Sequence, residues 1–279
     1  MFIHKKTAKG FEYIVIENKS ANAKVALQGG HLFHYQKHGS PPLLWLSGKS
    51  RFETGKAIRG GIPICWPWFG KHSTDATLPQ HGFARTSLFE LLEVTEPDEN
   101  TTELLLQLQN STETLALWPY QFKVLLHIII GKTLTVALTS KNCGSKSFSI
   151  TSALHSYFSV SHIDNVYIHG FDKKEYWDSL TDTNKIQQGD IRINEEVDRV
   201  YQNVTNGLTL QDRDRAINIA AKGSTSAVVW NPWIDKSKRM ADMKNDAYKT
   251  MVCIETANAL ADARNLAQDE KHTLQCIFS

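Results

Sequence analysis

Two side chains that can transfer protons lie in otherwise apolar segments of the 279-residue chain. His155 lies within FSITSALHSYFSV and Glu255 within MVCIET. Because an unpaired carboxylate in an apolar strand is costly, Glu255 is expected to have either a partner or a chemical task. An imidazole and a carboxylate could act together as an acid–base pair, whereas a satisfied structural histidine and a buried ion pair are the alternatives. Asp198, in EEVDRVYQN, is a weaker candidate because charges in such a loop often serve solubility alone.

A segment rich in glycine, proline and aromatic residues could bind a sugar. Residues 59–70 read RGGIPICWPWFG. Prolines fix the path of such a loop, and glycines let its backbone approach a ligand closely. Exposed faces of Trp66 and Trp68 would suit the apolar face of a pyranose. The alternative is a packed loop that closes one end of the fold.

A second patch brings an amide, an imidazole and a guanidinium close together. Residues 80–85 read QHGFAR and contain Gln80, His81 and Arg85. Arg85 and the earlier Arg59 could clamp an anion, because a guanidinium offers phosphate oxygens a forked pair of donors. Two solvated surface arginines are the alternative.

The sequence predicts neither a metal site nor a nucleotide site. The only dense histidine group is His31, His34 and His38, and on a strand the first two would point to opposite faces. There is no GxGxxG and no GxxxxGK[ST], so no cofactor is expected. The cysteines lie far apart without a CxxC pair and are predicted to be buried free thiols: Cys65, Cys143, Cys253 and Cys276.

Strand-like runs recur along nearly the whole chain and predict an all-β sandwich or barrel. The clearest hairpin joins residues 124–130 to residues 133–138 through Gly131 and Lys132. If residues 148–160 form one strand, His155 lies on a face of small and polar side chains, opposite a core face.

Helices are expected only at residues 235–245, with a turn around 259–268. The long irregular segment 47–86 is too rich in aromatics and glycine to be a passive tether, and a loop of this length is usually functional. No linker or repeat divides the sequence, so we expect a single domain over residues 1–279.

Composition and charge narrow the function classes. The chain has 31 Lys and Arg against 29 Asp and Glu, and its basic residues are scattered rather than clustered. This balance argues against binding to nucleic acid or to a membrane surface. No apolar run approaches the ~20 residues that cross a bilayer, and the N-terminus shows no secretory signal. We therefore expect a cytoplasmic monomer that acts on a small molecule.

In order, the motifs RGGIPICWPWFG, QHGFAR, ALHSYF, VDRVY and VCIETAN resemble the hexose-6-phosphate mutarotases (glucose-6-phosphate 1-epimerases) of the galactose-mutarotase-like superfamily, which includes the aldose 1-epimerases. The resemblance covers nearly the whole chain. It implies a large antiparallel β-sandwich whose concave face binds the sugar, and it implies no cofactor.

The resemblance also assigns roles. It implies that His155 is the general acid and Glu255 the general base of α-to-β anomer exchange. It implies substrate contacts for the positions that match the family's motifs: Arg59, Gln80, His81, Arg85 and Asp198. Acid–base ring opening would require ionised Glu255 and protonated His155 near neutral pH, a state favoured by their mutual attraction or by Asp198 beside the imidazole.

Three other functions remain open at this stage. The chain could be a mutarotase of unphosphorylated aldoses, which the two arginines argue against. It could be a glycoside hydrolase or lyase, although a hydrolase usually needs two carboxylates across the bond. It could also be a non-catalytic sugar-phosphate-binding protein, for which the carboxylate in MVCIET would have no use.

Overall fold

The computed structural model describes residues 1–7 and 9–279. Strands dominate, and two short α-helices, α1 (Thr112–Leu117) and α2 (Trp233–Arg239), interrupt them. The strands in chain order are β1 (Phe2–Lys6), β2 (Glu12–Glu17), β3 (Ala21–Ala26), β4 (His31–Lys37), β5 (Ile64–Cys65), β6 (Glu90–Asp98), β7 (Thr101–Gln109), β8 (Phe122–Ile130), β9 (Leu134–Asn142), β10 (Phe148–Ile150), β11 (Ser152–Leu154), β12 (Tyr157–Ser159), β13 (Val166–His169), β14 (Glu175–Asp178), β15 (Thr183–Ile186), β16 (Val197–Tyr201), β17 (Leu208–Asp212), β18 (Arg215–Lys222), β19 (Ser226–Asn231), β20 (Met251–Asn258), β21 (Arg264–Leu266) and β22 (Lys271–Phe278).

The strands form two large antiparallel sheets and two small ones. The outer sheet has the order β13-β17-β18-β22-β9-β8-β7-β6. The second large sheet, here called the cavity sheet, has the order β15-β14-β16-β19-β20-β11-β5, and β12 also pairs with β20. The N-terminal sheet is β1-β2-β3-β4, and β10 pairs with β21. The predicted all-β antiparallel sandwich is confirmed.

Alternation along the strands explains how one core serves several sheets. Every second residue of β8 and β9 is buried, and the apolar residues among them join the main core cluster. The cluster also takes residues from the N-terminal sheet, such as Ile14 and Val25, and from the cavity sheet, such as Val229 and Ile254. Apolar side chains with a period of two therefore bury one face of each sheet against the others.

The other face of the cavity sheet does not belong to the main core. In β20 every residue is buried, but the two faces differ. Val252 and Ile254 join the main core, whereas Met251 and Cys253 pack in a separate cluster with Tyr157. Since side chains alternate along a strand, Glu255 lies on the face of Met251 and Cys253.

Several local predictions need correction. The hairpin between β8 and β9 has a three-residue loop, because Ile130 pairs with Leu134 and the Gly131 amide donates to the Thr133 carbonyl at 3.1 Å. Residues 148–160 do not form one strand: β10, β11 and β12 are separate, although Phe148, Leu154 and Phe158 share the core as expected.

The helix predictions are partly correct. α2 begins earlier than predicted and ends at Arg239, and the predicted turn contains a 3₁₀ turn at Leu260–Asp262. α1 was not predicted; a capping box between Ser111 and Thr114 starts it. Within residues 1–7 and 9–279, no helix has the length and apolar character needed to cross a lipid bilayer.

Candidate active site

A cavity of about 870 Å³ opens on the face of the cavity sheet that carries Glu255. Its walls contain the seven side chains to which the sequence analysis gave catalytic or substrate-binding roles: Arg59, Gln80, His81, Arg85, His155, Asp198 and Glu255. These residues come from five separate parts of the chain. Their convergence is a property of the tertiary structure, since up to 196 positions separate Arg59 from Glu255 in the printed numbering.

Strand register explains why His155 meets Glu255. β11 and β12 both pair with β20, so that Leu154 lies opposite Thr256 and Tyr157 lies opposite Cys253. His155 lies in the short gap between β11 and β12 and therefore falls beside Glu255. The Nε2 atom of His155 is 3.3 Å from Oε1 of Glu255.

Both members of this pair are buried and each has one unused polar atom. Glu255 is only 1% exposed and His155 only 8% exposed. Within residues 1–7 and 9–279, neither Oε2 of Glu255 nor Nδ1 of His155 has a hydrogen-bond partner. Buried polar atoms in native proteins nearly always have partners, so these two atoms indicate a ligand-binding site.

Burial shifts both pKa values toward the neutral forms. Desolvation lowers the pKa of His155 well below its usual value, and the charges of His81, Arg59 and Arg85 lower it further. Desolvation also raises the pKa of Glu255 well above its usual value, and the nearby Asp198 carboxylate adds to this effect. Asp198 thus acts on Glu255, whereas the sequence analysis considered it as a partner for the imidazole.

Tyr157 stacks on the imidazole of His155, and Arg59 in turn donates a hydrogen bond to Tyr157. The Tyr157 ring stacks on the imidazole with 4.7 Å between centroids and 8° between planes. Nη1 of Arg59 donates to the Tyr157 hydroxyl at 2.9 Å, and Nε of Arg59 donates to Asp242 at 3.0 Å. Trp45 stacks on Tyr157 at 5.9 Å. Arg59 is therefore both a cavity residue and a support for Tyr157.

The loop 80–85 brings His81 and Arg85 to the cavity. His81 adopts a left-handed φ of 66°, its amide donates to the Gly70 carbonyl at 2.7 Å, and its Nδ1 accepts from the Gly70 amide at 3.1 Å. Its ring lies 5.9 Å from that of His155. Burial lowers the pKa of His81 to about 3. Nη2 of Arg85 donates to the Gln80 carbonyl at 2.7 Å.

Asp198 lines the cavity from β16. It lies opposite Trp230, which lies opposite Cys253, so one row of cross-strand neighbours runs from Asp198 to β20. Lys236 of α2 approaches Asp198 with 3.8 Å between Nζ and Oδ2. Burial raises the pKa of Asp198 despite this cation.

The two tryptophans of residues 59–70 differ in role. Trp66 is fully buried, packs against Phe83 and Phe122, and donates to Ser140 at 2.9 Å. It is a core residue and presents no exposed face to a sugar. Trp68 lines the cavity, although it is only 7% exposed. The packed-loop alternative is correct for Trp66, whereas Trp68 packs in the main core and also borders the cavity.

The cysteine prediction is correct for three residues. All four thiols are free, and Cys65, Cys253 and Cys276 are buried, but Cys143 is exposed because it follows the end of β9. In the group of closely spaced histidines, His31 contacts a backbone carbonyl: its Nε2 atom lies 2.7 Å from the carbonyl oxygen of Gly60.

Sequence reasoning missed several cavity residues. Lys71, Trp177, Trp230 and Lys236 line the cavity, and no local spacing marks them.

Comparison with known proteins gives consistent matches over almost the whole chain. A sequence profile described as aldose 1-epimerase matches residues 12–279. A Salmonella typhimurium protein with the provisional name glucose-6-phosphate 1-epimerase is 38% identical, over 93% of this chain and 87% of that protein. An Escherichia coli protein with the same provisional name is 36% identical, over 95% and 90%.

A solved structure agrees with these matches. The crystal structure of a Salmonella typhimurium protein, provisionally described as a mutarotase, superposes with a TM-score of 0.93 at 33% identity. The match covers 99% of this chain and 92% of that one.

Proposed function

The chain belongs to the aldose 1-epimerase family, and we propose that it interconverts the α and β anomers of a hexose 6-phosphate, with glucose 6-phosphate as the preferred substrate. Family membership makes it a sugar epimerase. The proposal adds the phosphorylated substrate and the roles of individual residues. The observation that carries it is the 3.3 Å contact between His155 and Glu255 inside the cavity.

Anomer exchange needs one proton acceptor and one proton donor at neighbouring oxygens. Glu255 takes the proton of the anomeric hydroxyl while His155 delivers a proton to the ring oxygen, and the bond from the anomeric carbon to the ring oxygen breaks. The free aldehyde then rotates and exposes its other face, and the two groups act in reverse to close the ring. Because both oxygens are bonded to the same carbon, an acid and a base in mutual contact suit this reaction.

The pair can supply this chemistry although burial favours its neutral forms. One proton shared between the imidazole and the carboxyl leaves the pair with zero net charge, whichever group holds the proton. Burial favours the neutral arrangement in the ligand-free cavity. Sugar hydroxyls at Oε2 and Nδ1 or at the shared contact would stabilise the charged arrangement, since hydrogen bonds to a charged form favour that form.

The cationic lining supports a phosphorylated substrate. Arg59, Arg85, Lys71 and Lys236 all line the cavity. A phosphate monoester carries about −1.5 to −2 charges at neutral pH, so these groups can bind it without entering the bond changes. The provisional names of both bacterial relatives also specify glucose 6-phosphate.

NMR exchange spectroscopy on equilibrated sugars tests the substrate. Exchange between the anomers of glucose 6-phosphate, compared with glucose at equal concentration, should accelerate much more strongly on addition of the protein. Galactose and mannose 6-phosphates in parallel samples define the preferred hexose. Equal acceleration of glucose would instead identify a mutarotase of unphosphorylated aldoses.

Variants of the pair test the assigned roles. His155→Ala and Glu255→Gln should each lower the exchange rate roughly 10²-fold or more, the range expected for loss of a positioned proton transfer. Binding of glucose 6-phosphate, measured by calorimetry, should stay within about tenfold. If both variants exchange anomers at the wild-type rate, the assigned acid and base are wrong.

A further inference from the structure

A third buried side chain, Cys253, accompanies the His155–Glu255 pair. Candidate ligand atoms of His155, Cys253 and Glu255 all lie within 4.8 Å of one another. Cys253 is completely buried, two positions before Glu255 on the same face of β20. The proposed acid–base reaction assigns no task to its thiol.

The donor set is one that thiophilic divalent cations prefer. A tetrahedral Zn²⁺ takes imidazole, thiolate and carboxylate ligands at about 2.0–2.3 Å, so its ligand atoms lie about 3.3–3.7 Å apart. The distance of 3.3 Å between Nε2 of His155 and Oε1 of Glu255 already fits this range. No other pair in the cluster needs to close by more than about 1.5 Å, a shift that a change in side-chain torsion can supply.

Two observations besides the cluster itself indicate that it can bind a ligand. Glu255 Oε2 and His155 Nδ1 are buried and have no hydrogen-bond partner in the described part of the chain. Both residues also line the cavity, which provides an entry path and leaves the fourth coordination position open. Three protein ligands with an open fourth position are the pattern of accessible zinc sites.

We propose that His155, Cys253 and Glu255 bind a thiophilic divalent cation of the Zn²⁺ class, and that the bound cation switches off anomer exchange. The inhibition rests on the proposed function, because the metal would occupy the imidazole lone pair and the carboxylate that exchange requires. The binding does not depend on it.

Charge and proton balance are consistent with this site. The cation displaces the Cys253 thiol proton and the single proton of the His155–Glu255 pair, so two protons leave to solvent and the ligands carry two negative charges. Asp198 adds a nearby negative charge, and the positive charge of Arg59 is offset by Asp242. The positive charge of Arg85 opposes binding.

Titration of the chelator-treated full chain with Cd²⁺ tests the binding, because a cadmium–thiolate bond gives an ultraviolet charge-transfer band. We expect one band-forming Cd²⁺ per chain in the wild type, and no such band in Cys253→Ala. Zn²⁺ calorimetry should show binding at least about tenfold weaker in this variant, since loss of even an outer partner of a metal ligand weakens binding about 10–100-fold. Glu255→Gln, which keeps the Cys253 thiol but loses the carboxylate ligand, should also weaken Zn²⁺ binding.

Two other cysteines provide matched controls. Cys65→Ala removes a thiol that is equally buried but lies outside the cluster, and Cys143→Ser removes the exposed thiol. Both should keep the wild-type band. A band that survives Cys253→Ala, or that disappears in Cys143→Ser, would overturn the proposal.

Activity separates this proposal from the proposed function. Zn²⁺ should inhibit wild-type anomer exchange, whereas Cys253→Ala should retain exchange and lose most of its Zn²⁺ sensitivity. A Cys253-dependent band in a protein without exchange activity would leave the metal site standing and the proposed function refuted. Exchange that Cd²⁺ leaves unaffected while its band is saturated, or that a saturating concentration of Zn²⁺ leaves unaffected, would refute the inhibition.

Discussion

Arg59 and Arg85 both line the cavity, but their guanidinium groups make different hydrogen bonds within the protein. Arg59 uses two of its nitrogens to hold Tyr157 and Asp242, and Tyr157 stacks on His155. Arg85 has a single hydrogen bond to a side-chain or backbone acceptor within the described residues, to the carbonyl of Gln80. Arg85 therefore has more donors left for a phosphate than Arg59 has.

The two arginines should differ in their kinetic effects. Arg85→Ala should raise KM for glucose 6-phosphate about tenfold or more and change kcat little, because a hydrogen bond to a charged group is worth about 1.5–3 kcal/mol. Arg59→Ala should also lower kcat, because Tyr157 loses the donor that fixes it against His155. Steady-state exchange kinetics separate the two parameters.

Arg85→Lys is the matched control, since it keeps the charge and loses the forked geometry. Its KM should fall between those of the wild type and Arg85→Ala. Identical effects of Arg59→Ala and Arg85→Ala on both parameters would contradict the distinction drawn between the residues.

At the scale of elements, the cavity depends on a short loop that packs tightly against its neighbour. Gly82 follows His81, and both have left-handed φ angles. A Cβ at Gly82 would collide with the carbonyl group of Trp66 and with the nitrogen of Pro67. Since those atoms are backbone, the loop itself would have to move. His81 and Arg85 would move with it.

Gly82→Ala should therefore damage both stability and activity. We expect a loss of at least about 1–3 kcal/mol in the free energy of unfolding, from strained φ and displaced backbone. The exchange rate should fall as well, because His81 and Arg85 would leave their positions. Urea unfolding and NMR exchange on the same samples measure the two effects.

Gly39→Ala is the control for backbone strain alone. Gly39 has a similar φ of 74°, and a Cβ there would meet nothing within 4 Å. This variant should lose only the smaller strain cost and keep full activity. Equal losses in the two variants would show that crowding at Trp66 has no part in the effect.

At the scale of the whole molecule, we propose that residues 1–279 fold as a single domain. The main core cluster draws residues from Ile14 to Phe278, and strands distant in sequence pair side by side, such as β18 with β22 and β9 with β22. A core shared in this way should unfold in one cooperative transition.

Acid should destabilise the whole fold through its buried neutral histidines. Burial lowers the pKa of His31 to about 4, from an ordinary value of 6.5. Between these two values the unfolded chain binds a proton that the folded chain refuses, so stability falls as pH falls from 6.5 toward 4. One such histidine contributes a slope of up to about 1.4 kcal/mol per pH unit. Urea unfolding at several pH values measures this slope.

His31→Gln isolates the contribution of this residue. The amide can still donate toward the Gly60 carbonyl, which His31 Nε2 contacts, but it does not titrate. The slope of the variant between pH 6 and pH 4 should be smaller by about one proton. Glu255 contributes to the pH dependence of stability with the opposite sign. Because its pKa is raised in the folded chain, its contribution lowers stability as pH rises above 4.5. An unchanged acid slope in His31→Gln would contradict the assignment.

Local chemistry in the sequence was enough to predict the fold class and the candidate site. Strand-like runs along the chain predicted an antiparallel β fold, because period-two burial is a local property of a strand. The carboxylate in MVCIET and the imidazole in ALHSYF stood out because such groups are costly in apolar strands. The other candidates were noted from their residue types and grouping, the family resemblance gave them roles as substrate contacts, and all of them line one cavity.

Only the tertiary structure decided which groups touch and in what state. The register of β20 against β11 and β12 sets His155 beside Glu255, and no local pattern encodes a pairing between strands about a hundred residues apart. Three other features likewise depend on neighbours from other strands: the burial of Trp66, the hydrogen bond from Arg59 to Tyr157, and the effect of Asp198 on the pKa of Glu255. Desolvation and charge act through space, so protonation states follow from the folded arrangement rather than from position along the chain.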